Sequence, residues 1–186
     1  TVDGIEVLYR SQIYLMMNKP AGYVCANEDR DPTVFDLFEQ FEGKDLFTVG
    51  RLDKDTEGLL LITNDGEYAH KLTSPKHHVE KEYYVTLQKP FDSSYIAQIE
   101  KGIRINEEEQ CAPAKCIVED DYHVRLIIRE GKFHQVQRMI HACENETEHL
   151  VRLRIGNLWL DETLEAGEYR EMTDEELVLS LDREDE

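Results

Sequence analysis

The segment 50–72 constrains the fold more than any other part of this chain of 186 residues. It opens with a polar loop that has a glycine at each end, and it continues into the apolar run 59–63. The sequence Asn-Asp-Gly at 64–66 then predicts a turn, so the run between the two polar stretches predicts a buried strand. Asp53 lies on the first loop, and loops held by a rigid element commonly carry binding or catalytic groups.

The neighbours of Asp53 favour a functional carboxylate. Arg51 and Lys54 flank it in the sequence, and positive neighbours keep a carboxylate ionised and can hold a polyanion nearby. A competing interpretation is that Asp53, Asp55 and Asp65 are only solvated turn formers, because aspartate is common in turns.

Two further interpretations of this loop are weaker. The spacing Asp53-x-Asp55-x-Glu57-Gly58 copies the opening of a calcium-binding EF-hand loop. Its twelfth position is Asn64 instead of glutamate, and the flanks predict strands where the motif needs helices. A carboxylate pair for glycoside chemistry is also conceivable, but two aspartates two positions apart on a loop do not define the required separation.

Three more motifs accompany this loop along the chain. Asn18-Lys19-Pro20-x-Gly22-Tyr23 precedes it, while Lys81-x-Tyr83 and the run EGKFHQVQRM at 130–139 follow it. The loop itself reads Gly50-Arg51-Leu52-Asp53 with Thr56-x-Gly58-Leu59. In these motifs and their order the chain resembles the pseudouridine synthases, and among them the branch that modifies bacterial ribosomal RNA, the small-subunit RNA in particular. The resemblance runs from about residue 16 to residue 173.

The resemblance implies an isomerase that converts a uridine to pseudouridine without a cofactor or a metal ion. It implies that Asp53 is the catalytic carboxylate, and it leaves open whether Asp53 attacks the sugar, attacks the base or removes a sugar proton. The target base must leave its stack, so the pocket needs an aromatic platform, which Tyr83 would supply. The remaining substrate-binding candidates are Arg51, Lys132, His134, Gln135 and Arg138.

The candidates also have purely structural interpretations. Tyr83 beside Tyr84 could be a half-buried residue of a strand, and Arg51 could be an ordinary surface charge. Gln135 could cap a helix. We expect Lys19 to be solvated beside a turn that Pro20 shapes.

Two departures from the branch affect the expected activity and extent of the protein. Where the branch usually has Lys or Arg paired with the catalytic carboxylate, this chain has Gln137, and Arg138 is the candidate to replace it. Because of Gln137, an RNA-binding or ribosome-assembly factor that has lost the chemistry is the alternative function. The branch usually begins with a small basic RNA-binding domain, which is absent from residues 1–186, so we expect that an N-terminal segment was trimmed or left out.

The net charge of −19 argues against an RNA-binding protein, since nucleic-acid binding normally uses a basic surface. The charge is unevenly distributed, because 161–186 contains 12 acidic and 2 basic residues, whereas 125–154 contains six Lys or Arg and four Glu. We expect the acidic tail to form a solvated helix that starts at the capping box Thr173-x-x-Glu176. The basic segment predicts a cationic strip, with Arg152 and Arg154 on the polar face of a strand.

Composition and periodicity predict an α+β fold with a mixed, largely antiparallel sheet and flanking helices, which agrees with the catalytic fold of the resembled family. We expect one catalytic domain over 1–186, either single or as two closely joined lobes, with the acidic tail at 161–186. Strands are expected at 13–18, 80–87, 122–129 and 150–155, and helices at 31–41, 92–101 and 133–143.

The remaining features exclude several classes of protein. No apolar run reaches the roughly 18 residues of a membrane span, and residues 1–10 lack a signal-peptide pattern, so we expect a soluble, cytoplasmic monomer. The partner implied by the resemblance is ribosomal RNA or a precursor of the ribosomal subunit. The four cysteines are widely spread and predict free thiols, and His77-His78 is a poor metal site because adjacent residues seldom ligate one ion.

Overall fold

The computed structural model describes residues 12–26, 30–37, 45–77 and 79–181. In this part of the chain, nine strands form one sheet in the order β5-β6-β4-β7-β3-β1-β9, with β2 beside β3 and β8 beside β7. The strands are β1 Tyr14–Lys19, β2 Phe47–Thr48, β3 Glu57–Thr63, β4 Lys81–Leu87, β5 Lys115–Asp120, β6 His123–Ile128, β7 Thr147–Ile155, β8 Leu158–Trp159 and β9 Tyr169–Glu171. The helices are α1 Gly66–Thr73, α2 Ile96–Lys101, α3 Gln135–Ala142 and α4 Asp174–Leu181.

The predicted fold class is confirmed. The pairs of β3 with β1 and β2, of β4 with β6 and β7, and of β5 with β6 are antiparallel, while β3 runs parallel to β7. The strand expected after the polar loop is β3, and it is apolar without alternation because both of its faces are covered. Leu60 and Ile62 pack into one apolar cluster, whereas Leu59 and Leu61 pack into the other.

The two turn and capping motifs have clear structural roles. Asp65 caps α1, since its Oδ1 accepts hydrogen bonds from the amides of Glu67 and Tyr68 at 3.1 and 3.2 Å. The Tyr14 hydroxyl donates to the same carboxylate, and this bond is the main reason that the pKa of Asp65 is lowered. At α4, Thr173 and Glu176 exchange hydrogen bonds, which confirms the predicted capping box.

Two expectations about the fold were wrong or only partly testable. In place of the expected helix over 31–41 the structure has a short 3-10 helix at Val34–Leu37, and residues 38–44 lie outside the described part. Arg152 and Arg154 do not share a polar face, because both are buried. Tyr83 pairs with Arg152 and Glu82 with Arg154, so the register skips Leu153 and forms a β-bulge. A bulge breaks the alternation of side chains, which sends the two arginines to different surroundings.

The described cysteines are all free, as expected, and all of them are buried. Burial raises the pKa of Cys111 and of Cys116 to about 11 and that of Cys143 to about 12, so these thiols stay protonated at neutral pH. Among the helices of the described residues, none has the length and apolar character needed to cross a membrane.

Candidate active site

The loop that carries Asp53 is held in place by Lys19, which is fully buried. Its Nζ donates hydrogen bonds to the backbone carbonyls of Pro20, Asp53, Lys54 and Thr56, at distances of 2.7 to 3.1 Å. The expectation of a solvated Lys19 was therefore wrong. Burial is the main cause of its lowered pKa, and the carbonyl oxygens compensate for the lost hydration of the ammonium group. The motif that contains Lys19 and the loop that contains Asp53 are distant in sequence, and these hydrogen bonds join them into one structural unit.

Gly58 explains the second half of the loop motif. Its φ is +111°, and a Cβ at this position would lie 2.2 Å from the carbonyl oxygen of Arg152. Any other residue would therefore clash with the backbone of β7, with which Gly58 pairs in parallel. The glycine lets β3 and β7 approach closely just after the loop, and this approach fixes Asp53 relative to β7.

The carboxylate of Asp53 is contacted by two side chains of the last motif. Gln137 Nε2 donates to Asp53 Oδ2 at 3.0 Å, and His134 Nε2 lies 3.2 Å from Oδ1. The Asp53 side chain remains 35% exposed, so it is oriented and still accessible. The structure therefore brings Gln137, and not Arg138, to the position beside the carboxylate.

Arg138 is engaged elsewhere. Its Nη2 donates to Glu109 Oε1 at 2.7 Å, and its Nη1 donates to the carbonyl of Phe133 at 2.9 Å. These two hydrogen bonds indicate that the guanidinium of Arg138 has a structural role at the start of α3. Its expected contact with substrate stays a prediction.

Asp53 lines a cavity of about 680 Å³ between its loop, β4, β7 and the start of α3. A volume of this size falls within the range of sites for small molecules or for one nucleotide. The cavity wall includes most of the residues predicted from the sequence: Arg51, Asp53, Tyr83, Lys132, His134 and Gln135. Tyr83 is largely buried within the wall, whereas Arg51 is exposed.

Gln135 contributes mainly to the geometry of the wall. Its Oε1 accepts from the Lys132 amide at 3.0 Å, and its Nε2 donates to Glu130 Oε2 at 3.1 Å. Both ends of the side chain are occupied, and they bond to the turn before α3 and not to amides of the helix. Lys132 Nζ lies 3.7 Å from Glu130, at the same turn.

Lys81 and Arg152 also line the cavity, and the sequence interpretation assigned neither of them to the pocket. Burial, together with the smaller effect of the like charge of Arg152, lowers the pKa of Lys81 to about 8. Arg152 Nε donates to the carbonyl of Leu59 at 2.9 Å, while its Nη2 has no hydrogen-bond partner among the described residues. The motif Lys81-x-Tyr83 could have revealed Lys81, because residues i and i+2 of a strand share a face.

The predicted cationic strip is not a free basic surface. Arg125, Arg129 and Arg154 form ion pairs with Glu80, Glu82 or Glu119. The cationic groups that line the cavity are Arg51, Lys54, Lys81, Arg129, Lys132 and Arg152. Lys54 pairs with Asp31 at 3.3 Å. Within 12–26, 30–37, 45–77 and 79–181 no group of three His, Cys, Asp or Glu side chains is placed to hold a metal ion, and His78 lies outside these ranges.

Comparison with known proteins gives consistent results. The family model described as RNA pseudouridylate synthase matches residues 13–142. The ribosomal small subunit pseudouridine synthase A of Haemophilus influenzae is 48% identical over 166 residues, which cover 88% of this chain and 72% of that protein. The protein of the same name in Vibrio cholerae is 47% identical over 178 residues, covering 95% of this chain and 77% of that protein.

A relative in Bacillus subtilis, named as an uncharacterized RNA pseudouridine synthase, is 48% identical over 96% of this chain and 77% of its own length. The solved structure of a pseudouridylate synthase superposes with a TM-score of 0.87 at 46% identity, covering 91% of this chain and 74% of that chain. An archaeal Nop10-Cbf5 complex shares the fold at 16% identity and a TM-score of 0.60. The chain therefore belongs to the RNA pseudouridylate synthase family, and it is an isomerase of the pseudouridine synthase type.

Proposed function

We propose that this chain converts a specific uridine of ribosomal RNA, in the small subunit, to pseudouridine, with Asp53 as the catalytic carboxylate. One observation carries the proposal: Asp53 is held by His134 and Gln137 in the wall of a cavity that also contains the ring of Tyr83. The names of the relatives in Haemophilus influenzae and Vibrio cholerae support the choice of substrate.

The chemistry requires few groups. The bond from the sugar to N1 of uracil breaks, the detached base turns, and a bond from the same sugar carbon to C5 forms. The hydrogen at C5 is lost as a proton and N1 gains one, so no electrons are exchanged with an outside reagent. One ionised carboxylate in a cavity that holds the base in place is sufficient for such a reaction.

The wall residues fit the needs of a flipped nucleotide. Tyr83 presents an aromatic ring on which uracil stacks, since every base has a π-face. Arg51, exposed at the cavity, contacts the phosphate backbone of the target nucleotide or fills the space that the base leaves. Lys132 and His134 lie at the turn before α3, within reach of a phosphate or a base edge.

A second function is favoured by one specific observation. Gln137 gives Asp53 a hydrogen bond but no positive charge, which suits a binding or assembly factor that has lost the reaction. We favour the enzyme because the hydrogen bond still orients the carboxylate, and because a protein that only binds RNA gains nothing from an exposed carboxylate near phosphates.

The test is Asp53→Asn, with Asp55→Asn as the matched control on the same loop. We expect Asp53→Asn to abolish product while RNA binding persists or tightens, since a negative charge is removed. Asp55 is exposed, so Asp55→Asn should react within a few-fold of the unchanged protein. Product is mapped on small-subunit ribosomal RNA by carbodiimide-stop sequencing after single-turnover reactions. Near-normal turnover by Asp53→Asn would disprove the catalytic role.

Gln137→Lys separates the two functions. If the unchanged chain is an enzyme, restoring a charge beside Asp53 should change the rate only modestly. A chain that makes no product until Lys is introduced would instead be the binding factor.

A further inference from the structure

Phe133 is the most exposed of the large hydrophobic residues described, with 75% of its surface accessible. It lines the same cavity as Asp53 and Tyr83, and Lys132 precedes it in the sequence. An exposed ring contributes little to the core, so its position at the cavity needs another explanation.

The ring is part of a stack that leads to the catalytic carboxylate. The rings of Phe133 and His134 lie face to face, with centroids 3.9 Å apart and an angle of 16° between their planes. The imidazole of His134 also contacts Asp53, since its Nε2 lies 3.2 Å from Oδ1 of the carboxylate. An aromatic wall therefore runs from the carboxylate to the solvent.

The backbone that carries the stack is fixed on both sides. His134 adopts a left-handed conformation with φ of 48°, which only a supporting structure maintains in a residue other than glycine. Arg138 donates to the Phe133 carbonyl and is itself held by Glu109. The Gln135 amide donates to the Lys132 carbonyl at 3.1 Å, which closes the turn. The exposure of Phe133 is thus a built feature of the turn.

We propose that the exposed face of Phe133 is a stacking platform for the nucleobase next to the target uridine. This inference rests on the proposed function, because the cavity beside the ring then holds the uridine itself. A single-stranded base stacks well on an aromatic ring, and the exposed Arg51 on the same cavity provides positive charge for the connecting phosphate. His134 stabilises the ring from behind.

The test compares Phe133→Leu with Phe133→Trp, and it uses Tyr122→Leu as the control for loss of an exposed aromatic that does not line this cavity. The probe is a small-subunit ribosomal RNA fragment that the unchanged protein binds, with 2-aminopurine placed on either side of each of its unpaired uridines in turn. We expect Phe133→Leu to raise the dissociation constant about 5- to 100-fold and to remove the fluorescence change of one neighbouring 2-aminopurine. Phe133→Trp and Tyr122→Leu should bind as the unchanged protein does.

The outcomes distinguish this inference from the proposed function. If the unchanged protein makes pseudouridine and Phe133→Leu binds with an unaltered dissociation constant, the platform is disproved and the function stands. If the unchanged protein makes no product but Phe133→Leu weakens RNA binding as expected, the platform stands and the function fails. A loss of affinity that Phe133→Trp does not restore would also contradict stacking.

Discussion

The two faces of strand β4 differ in whether their charged side chains are paired. Glu82 points into a charge network, formed by Glu80, Glu82, Arg125, Arg129 and Arg154, in which each carboxylate has at least two arginine partners. Lys81 and Tyr83 face the cavity, where the like charge of Arg152 acts on Lys81 and lowers its pKa. The charges on the network face are paired, so that losing one of them destabilises the fold, whereas the positive charges on the cavity face, unpaired among the described residues, suit an anionic substrate.

The largest effect is expected from Glu82→Ala on the network face. Its side chain is only 3% exposed and accepts from Arg154 at 2.9 Å. Its removal leaves the buried Arg154 with Glu80 alone and gives the network an excess of positive charge. We expect the free energy of unfolding to fall by about 3–5 kcal/mol, with the saturated rate of the folded protein retained. Urea denaturation measures this, and Glu119→Ala, at the exposed partner of Arg125, should lose less than about 1 kcal/mol. A loss of turnover in folded Glu82→Ala would contradict the separation of the two faces.

Tyr83 follows Glu82 in the sequence but lies on the cavity face, so Tyr83→Ala should mainly lower the reaction rate. Loss of the stacking ring should lower the saturated single-turnover rate by about 1–3 kcal/mol of transition-state stabilisation, or roughly 5- to 150-fold. Tyr83→Phe keeps the ring and should stay near the original rate. Equal rates for all three proteins would show that Tyr83 is only a packed residue of the strand.

If Arg152 lay on a polar strand face, as the sequence predicts, Arg152→Ala would mainly weaken RNA binding, but the burial of Arg152 changes this expectation. Arg152 is 2% exposed and supports the Leu59 carbonyl, so its loss should destabilise the fold by about 1–3 kcal/mol. Thermal unfolding checks it. A fully stable Arg152→Ala with weaker RNA binding would restore the original assignment.

A smaller effect is expected from Lys81→Met. The folded pKa of about 8 lies below the ordinary 10.5, so between these values the unfolded chain holds a proton that the folded protein has released. Stability of the unchanged protein should therefore rise with pH in this window, by at most about 1.4 kcal/mol per pH unit. Lys81→Met should lack that rise and be the more stable protein at pH 7. Unfolding curves at pH 7.5 and 9.5 test this, with the exposed Lys101→Met as control; an unchanged slope in Lys81→Met would exclude Lys81 as its origin.

No effect is expected from metal removal, since the proposed reaction needs no electron sink and no group of three His, Cys, Asp or Glu side chains within the described ranges is placed to hold a metal ion. Activity should survive EDTA and exhaustive dialysis. A loss of activity restored by a divalent ion, under conditions in which the RNA stays folded, would overturn this.

The sequence predicted the strands because continuous or alternating apolar residues are a local pattern. It predicted the grouping of Asp53, Tyr83 and His134 because the order of the motifs resembles that of a known family. It did not predict the bulge at Leu153, since one extra residue in a strand leaves no compositional trace. Lys19 was missed for a different reason: lysine is rarely buried, and its partners here are carbonyl groups that every residue has.

The four carbonyl bonds of Lys19 have a consequence for the thermodynamics of RNA binding. A loop that remained free in the unliganded protein would have to lose its conformational entropy when substrate arrives, at the expense of affinity. Here the backbone at Asp53, Lys54 and Thr56 is already ordered by the folding reaction itself. Binding energy from the RNA is thereby left for extracting the base from its stack.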